Sequence, residues 1–418
     1  MGGLRFVHAA DLHLDSPFTG LQAINTDIGK ALQESTFRAF SRIVDLCIKE
    51  QVDFLLIAGD VYDGADRSVK AQIRFRDALS RLGEAGIQSY VIHGNHDPLD
   101  GWRAKLDFHP FVHIFGDKLE RVSHEKDGVA LAAIYGMSYP TREVHENLAL
   151  AYQKQLGDPF AIGLLHANVG NDAGHESYAS CTLNDLVRAN LDYWALGHIH
   201  KREVLHAQAP TIVYPGNPQG RHPGEMGEHG CMRVTVGADG HTDVTFVDTD
   251  DIRWIEKDIS IDGLESVQDL LDVIEEQIGI RQEEGKNLVC RLRLVGRGFL
   301  HRSLREDRLS DMEEVLRETL SQAKPFVWID RIEDATRPDI DIESRRQGQD
   351  FVGDFLRIVE DHRTKSDLKD RLRGDLEELF GHRLGRKYLE TLSDDQIGLL
   401  LEKAETLCLD LLVKEGGS

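Results

Sequence analysis

The run Gln88-Ser89-Tyr90-Val91-Ile92-His93-Gly94-Asn95-His96-Asp97 decides how this chain is read. An apolar stretch breaks at Gly94, and three polar side chains follow at once. That pattern is a strand delivering its last residues into an open cleft, where α/β sheets place their chemistry. Gly-Asn alone is also an ordinary turn signal, so the weight comes from four further stretches that do the same. Leu4–Ala10 runs into Asp11-Leu12-His13, and Val52–Ala58 into Gly59-Asp60-Val61-Tyr62-Asp63. Phe160–Leu165 runs into His166-Ala167-Asn168, and Asp192–Leu196 into Gly197-His198-Ile199-His200. Residues i and i+2 of a strand point the same way. Asp11 with His13, and His198 with His200, can therefore each aim two side chains into one pocket.

Asp, Asn and His without Cys are oxygen and nitrogen ligands suited to Mn, Fe(II) or Zn. Asp11, His13, Asp60, Asn95, His166, His198 and His200 suffice for two ions that share one carboxylate. Two ions about 3.5–4 Å apart can activate water and clamp a phosphoryl oxygen during in-line displacement. The leaving oxygen needs a proton, which a neighbouring histidine can supply.

The ordered set Asp-x-His, Gly-Asp-x-x-Asp, Gly-Asn-His-Asp, His and Gly-His-x-His, spread over residues 11–200, resembles the calcineurin-like metallophosphoesterase superfamily. The resemblance implies an α/β fold, a two-sheet sandwich flanked by helices. It implies one metal held by Asp11, His13, Asp60 and His200. A second would be held by Asp60, Asn95, His166 and His198, with Asp60 as the bridge. It also implies His96 as the acid that protonates the leaving group, oriented by Asp63.

The opening His8–Phe18, together with Tyr214–His222, narrows the likeness to the SbcD-like DNA-repair exonuclease group, YhaO type. This resemblance implies a nuclease domain over 1–250, a small α/β capping domain over 251–336 and a helical partner-docking region over 337–418. It implies a Mn²⁺-dependent exonuclease acting on DNA, with Fe²⁺ or Zn²⁺ as other fillers of the same ligands. Partners implied are an SMC-like coiled-coil ATPase, bound through the C-terminal helices, and a second copy of the chain. Two positions depart from related patterns. Asp63 stands where archaeal and eukaryotic nucleases of the group commonly carry His, and Gly64 where the phosphatases carry Arg.

The spacing of apolar residues predicts helices over Asp27–Glu50, Val69–Ala85, Arg142–Gln155 and Leu183–Ala189. Strands are expected over Thr211–Tyr214, Cys231–Val236 and Asp243–Val247. The stretch Pro215–Glu225 is too rich in Gly and Pro for a regular element. It reads either as a surface loop or as a substrate-facing one, with Arg221 and His222 touching phosphate. Trp254–Ile261, Leu264–Gln277, Leu288–Val295, Asp311–Ala323 and Phe326–Ile332 read as βαβαβ. Arg291 and Arg293 share one strand face there, either a solvated surface or a sequence-independent phosphate contact. Beyond Arg337, apolar stripes run through Phe351, Phe355, Ile358 and Val359, and through Leu368, Leu372, Leu376 and Leu379, stopped by Gly381. Ser393–Gln396 is a capping-box pattern that starts a helix through Leu411. These stripes either pack on each other or dock a partner's helices.

The chain has 418 residues and a net charge of −23, so as a whole it repels phosphate backbones. Binding of nucleic acid then rests on local basic patches, bound cations or a partner. The five Cys lack metal-ligand spacing and fit reduced thiols in a cytoplasmic protein. Leu4–Ala10 is too short for a signal segment, and no apolar run approaches the ~18 residues of a membrane span. Two rivals to the nuclease share the same residues: a phosphatase or phosphodiesterase acting on nucleotides or phosphoproteins, and an assembly subunit of the ATPase complex.

Overall fold

Each of the five apolar runs folds as a strand that ends at, or just before, its polar residues. The computed structural model describes residues 3–16, 25–64, 68–170, 179–282, 285–305, 308–364, 371–372, 374–375 and 392–412. The chain forms two units. One comprises Met1–Ile255, Gln282–Cys290 and Gln322–Asp330; the other comprises Glu256–Arg281, Arg291–Ser321 and Arg331–Ser418.

The first unit begins with β1 (Leu4–Ala9), α1 (Thr26–Glu50), β2 (Phe54–Ala58), α2 (Val69–Glu84), β3 (Gln88–Ile92) and β4 (Val112–Ile114). It continues with β5 (Glu120–Lys126), β6 (Val129–Gly136), β7 (Phe160–His166), α3 (Leu183–Arg188) and β8 (Tyr193–Gly197). Next come β9 (Glu203–His206), β10 (Thr211–Tyr214), β11 (Gly230–Val236) and β12 (Thr242–Asp248). One six-stranded sheet has the order β12-β11-β1-β2-β3-β4, with β1 to β4 parallel. The other has the order β5-β6-β7-β8-β10-β9, with β6, β7, β8 and β10 parallel and antiparallel strands at both edges.

Parallel strands covered on both faces read as unbroken apolar runs, and Phe54–Ala58 is buried at every position. The two-residue period divides it. Phe54, Leu56 and Ala58 pack between the sheets with Phe6, Tyr90, Ile162 and Leu164. Leu55 and Ile57 pack with Phe40 and Val44 of α1 and Phe75 of α2. On the far face of the second sheet, Leu165, Trp194 and Leu196 pack with Tyr152 and Leu186. Helix α1 starts where Asn25 accepts from the backbone N–H groups of Asp27 and Ile28. It stops at Gln51, whose φ of 50° is left-handed. Helix α2 is capped by Ser68, and α3 by a Thr182–Asp185 capping box.

The helix expected over Arg142–Gln155 does not form. Only one 3-10 turn is present, Leu148–Ala151. Its buried anchors, Val144, Ala149 and Tyr152, pack instead into the core on the far face of the second sheet. Tyr152 ties the segment to the sheet by donating to the Leu164 carbonyl at 2.8 Å.

Further along lie β13 (Ile252–Ser260), α4 (Val267–Gln282), β14 (Asn287–Val295), α5 (Leu300–Arg305), α6 (Arg308–Leu320) and β15 (Val327–Asp334). The three strands form one sheet, in the order β13-β14-β15. Helix α5 is an addition to the expected βαβαβ pattern. The C-terminal part holds α7 (Ile342–Arg346), α8 (Phe351–Thr364) and α9 (Asp394–Leu412). The capping box is present: Ser393 N donates to Gln396 Oε1 and Gln396 N to Ser393 Oγ. The buried face of α8 is Val352, Leu356 and Val359, while Phe351 and Ile358 are exposed. Both sets have helical spacing, so periodicity alone could not choose between them. Leu368, Leu376, Leu379 and Gly381 lie outside the described residues. All five cysteines are free, and four are buried. Among the described residues, no helix is long and apolar enough to cross a membrane.

Candidate metal centre

The two sheets present the carboxyl ends of their parallel strands at one edge of the sandwich. Asp11 and His13 follow β1, Asp60 and Asp63 follow β2, and Asn95 and His96 follow β3. From the other sheet come His166, the last residue of β7, and His198 and His200 just beyond β8. Backbone pairing continues past the strands: Asp11 N donates to the Gly59 carbonyl, His13 N to that of Asp60 and Leu14 N to that of Val61. The turns that aim these side chains are left-handed, with φ of 53° at Asp11, 43° at His13, 50° at Asp60 and 99° at His198. Such backbones cost of order 1–3 kcal/mol each in non-glycine residues and cluster at functional sites.

Two glycines make room. A Cβ on Gly94 would lie 2.3 Å from Asp60 Oδ1 and 2.6 Å from His166 Nε2. A Cβ on Gly197 would lie 1.9 Å from the Ala58 carbonyl oxygen, so the sheets approach closely beside the site. Asp97 pins the β3 loop, accepting from Val61 N at 2.9 Å and Gly94 N at 2.7 Å, with His93 Nδ1 at 2.7 Å.

The seven expected ligands converge. His13 Nε2 and His200 Nε2 approach to 3.1 Å. Asp60 Oδ2 lies 3.8 Å from His13 Nε2 and 3.4 Å from His166 Nε2. Asn95 Oδ1 lies 3.0 Å from His166 Nε2 and 3.2 Å from His198 Nδ1. Donor atoms of Asp11, His13 and His200 lie within 4.8 Å of one another, as do those of Asp11, Asp60 and His166. The far nitrogens of two rings are already hydrogen-bonded, and that of a third lies beside a carboxylate. His166 Nδ1 donates to the Ala58 carbonyl at 2.9 Å, and His200 Nδ1 to Glu225 Oε1 at 2.7 Å. His13 Nδ1 sits 2.9 Å from Asp63 Oδ1. A ring tied by one nitrogen presents the other as a ligand. The donor set, the clustered Nε2 atoms and two buried carboxylates fit divalent cations.

Electrostatics fit the same reading. Burial pushes the Asp11 carboxyl up. Burial would do the same to Asp60, but His166, His13 and His96 hold it well below the usual carboxylate range. Burial opposes charge on His166, yet Asp60 and Asp11 raise it to about 9. His13 is driven down to about 3 by burial and by the Arg221 guanidinium beside it. Asp60 and His166 therefore favour each other's charged forms, whereas Asp11 and His13 are pushed towards neutrality. The Tyr139 ring stands edge-on to His166, and its buried hydroxyl has no hydrogen-bond partner among the described residues.

His13 and His166 are wholly enclosed, whereas the His96 side chain is 36% exposed. Its backbone N–H donates to Asp60 Oδ1 at 3.0 Å. Asp63 Oδ1 lies 3.6 Å from His96 Nδ1, beyond hydrogen-bond reach. Nearer to Asp63 are His13, Ser16 Oγ at 2.8 Å and Arg221 Nη1 at 2.8 Å. Arg221 thus reaches the cleft but is held by a carboxylate. His222 is exposed, with Nε2 3.3 Å from Glu225. Arg291 and Arg293 belong to β14 in the other unit, and Arg293 forks onto Asp258 at 2.8 and 2.6 Å. Glu225 was not singled out from the sequence. Its signal was faint: it is the one acidic residue in the loop Pro215–Glu225.

Comparisons with known proteins agree with this geometry. Residues 4–202 match the family described as Calcineurin-like phosphoesterase, and 254–337 match Metallophosphoesterase YhaO, middle domain. The chain is 36% identical over 408 residues, 97% of each chain, to the "Uncharacterized metallophosphoesterase YhaO" of Bacillus subtilis (strain 168). It is 23% identical over 364 residues to the SbcD component of the nuclease SbcCD of the same organism, covering 75% of this chain and 88% of that one. It is 30% identical over 216 residues to the DNA double-strand break repair protein Mre11 of Sulfurisphaera tokodaii, about half of each chain (51% and 53%). With likeness over nearly its whole length, the chain belongs to the calcineurin-like metallophosphoesterase family, YhaO type, whose members are metal-dependent phosphoesterases.

Proposed function

We propose that this protein is a two-metal phosphodiesterase that hydrolyses DNA phosphodiester bonds, a Mn²⁺-dependent repair exonuclease. The observation that carries the reading is the convergence of His13 and His200 Nε2 at 3.1 Å, with Asp60 Oδ2 set between His13 and His166. In this reading Asp11, His13, Asp60 and His200 hold one ion. Asp60, Asn95, His166 and His198 hold the other. When bound, such a pair activates water and neutralises charge on the phosphoryl group. The protein's own part is to fix donors and supply a proton. His96 faces outward beside the cluster and gives its ring proton to the leaving 3′-oxygen. Its backbone tie to Asp60 sets its place, and Asp63 steadies it at longer range. Arg221 and His222 face the phosphate from the loop after β10.

DNA as substrate is supported by the names of the Mre11 and SbcCD relatives. By the resemblance carried in its own sequence, 1–250 is the nuclease domain and 251–336 the cap, with Arg291 and Arg293 as phosphate contacts. Residues 337–418 dock an SMC-like ATPase, and two chains pair in the cytoplasm.

The test is hydrolysis with added Mn²⁺ on linear duplex DNA and an aryl phosphodiester in parallel, with His96→Ala as control. Loss of DNA in the wild type alone supports the nuclease. Turnover of the aryl ester alone moves the substrate to nucleotides or phosphoproteins. Metal uptake without turnover of either leaves an assembly subunit. Repeating the assay with Fe²⁺ and Zn²⁺ ranks the ions.

A further inference from the structure

The loop Pro215–Glu225 folds back onto the metal centre and ties it from behind. Asn217 N donates to the His200 carbonyl at 3.2 Å. A Cβ on Gly216 would lie 2.6 Å from that same oxygen, so the loop lies flat on the His200 backbone. Glu225 then reaches the His200 ring at 2.7 Å while its other oxygen accepts from Arg221 N at 2.7 Å and Asn217 Nδ2 at 2.9 Å. Its side chain is 7% exposed and fully occupied by these partners. Asp63 Oδ1 stands 2.9 Å from His13 Nδ1, at ion-pair distance but without hydrogen-bond geometry. Arg221 spans the two carboxylates, with Nη1 2.8 Å from Asp63 and Nη2 3.9 Å from Glu225. The result is a belt, Asp63–Arg221–Glu225, behind the two rings whose Nε2 atoms meet. The His166 ring is backed differently, by the Ala58 carbonyl.

We propose that Glu225 is a positioning residue for one of the two ions, acting through His200, and that Arg221 serves the belt as its cross-brace. This rests on the two-metal reading above. A carboxylate behind a ligating imidazole fixes its tautomer and raises its basicity. A carbonyl fixes the tautomer with less charge. The two ion sites are therefore built unequally, and only the His13–His200 site depends on the belt.

The experiment is Mn²⁺ titration of the full chain by calorimetry, with bound metal counted independently and thermal unfolding of the metal-free protein as a control. Wild type takes up two ions. Glu225→Gln retains one at wild-type affinity and binds the other about 10–100-fold more weakly. In a His200→Ala background, Glu225→Gln causes no further loss, because both changes act on one ligand. Arg221→Met weakens the same site by a smaller factor, and carries the test if Glu225→Gln does not fold. Wild-type affinities in the variants overturn the proposal. So does equal weakening of both sites, or a full additional loss in the His200→Ala background. If the wild type binds fewer than two ions, the two-metal reading itself fails, and the belt falls with it.

Discussion

Two sets of nitrogen-bearing side chains in this protein are arranged in opposite ways. In the first unit, imidazoles from both sheets are enclosed or half-buried and aim a nitrogen at a common space, and His166 and His200 are tied by the other. In the second unit, arginines on helices and strands meet an acidic neighbour at the surface. Arg293 forks onto Asp258, Arg345 pairs with Asp350 at 3.1 Å and Arg346 with Glu343 at 2.9 Å. Exposed pairs of that kind contribute roughly 0–1 kcal/mol and are screened by salt. The comparison separates a site from a charged surface. Convergence, burial and backing partners give direction to the first set, and local neutralisation removes it from the second.

The harshest way to break the convergence is Asp60→Ala. It removes the oxygen between His13 and His166, and uptake of both ions and all turnover should fall to background; retained activity would contradict the bridge. Gly94→Ala attacks the same point from the backbone, driving a methyl between Asp60 and His166. It should abolish uptake of at least one ion while lowering stability by about 1–3 kcal/mol. Unchanged calorimetric binding would show that the loop yields more freely than its contacts imply. His96→Ala should leave metal uptake intact and reduce kcat by roughly 10²–10⁴-fold. Metal loss there would make His96 a ligand rather than an acid. The smallest effect belongs to the other set. Arg293→Gln should leave aryl-ester turnover unchanged and reduce the salt dependence of DNA binding by about one unit of slope. No change in slope would return Arg293 to its pairing with Asp258 alone.

The sandwich was legible because buried parallel strands are unbroken apolar runs, and each ends in a residue type that a core does not tolerate. Asp11, Asp60, Asn95, His166 and His198 needed only that ending to be noticed. The backing partners were not legible, since each is far away in sequence. Ala58 supports His166 from 108 residues away through a carbonyl that any residue could supply. Glu225 lies in a loop whose path is set by glycine turns and by a buried knot with Asn217 and His229. Motif order places Asp63 beside His96, yet the side chain accepts from Ser16 and Arg221 and lies nearer to His13 than to His96. The helix over 142–155 failed for a related reason. Contacts of Val144 and Tyr152 with a distant sheet outweighed a local spacing that only approximated a helix.

The most direct test of the central claim is anomalous diffraction from crystals grown with Mn²⁺. The account predicts two peaks flanking Asp60 Oδ2, one beside His13 and His200 and one beside His166, Asn95 and His198. A single peak, or two peaks without Asp60 between them, would contradict it.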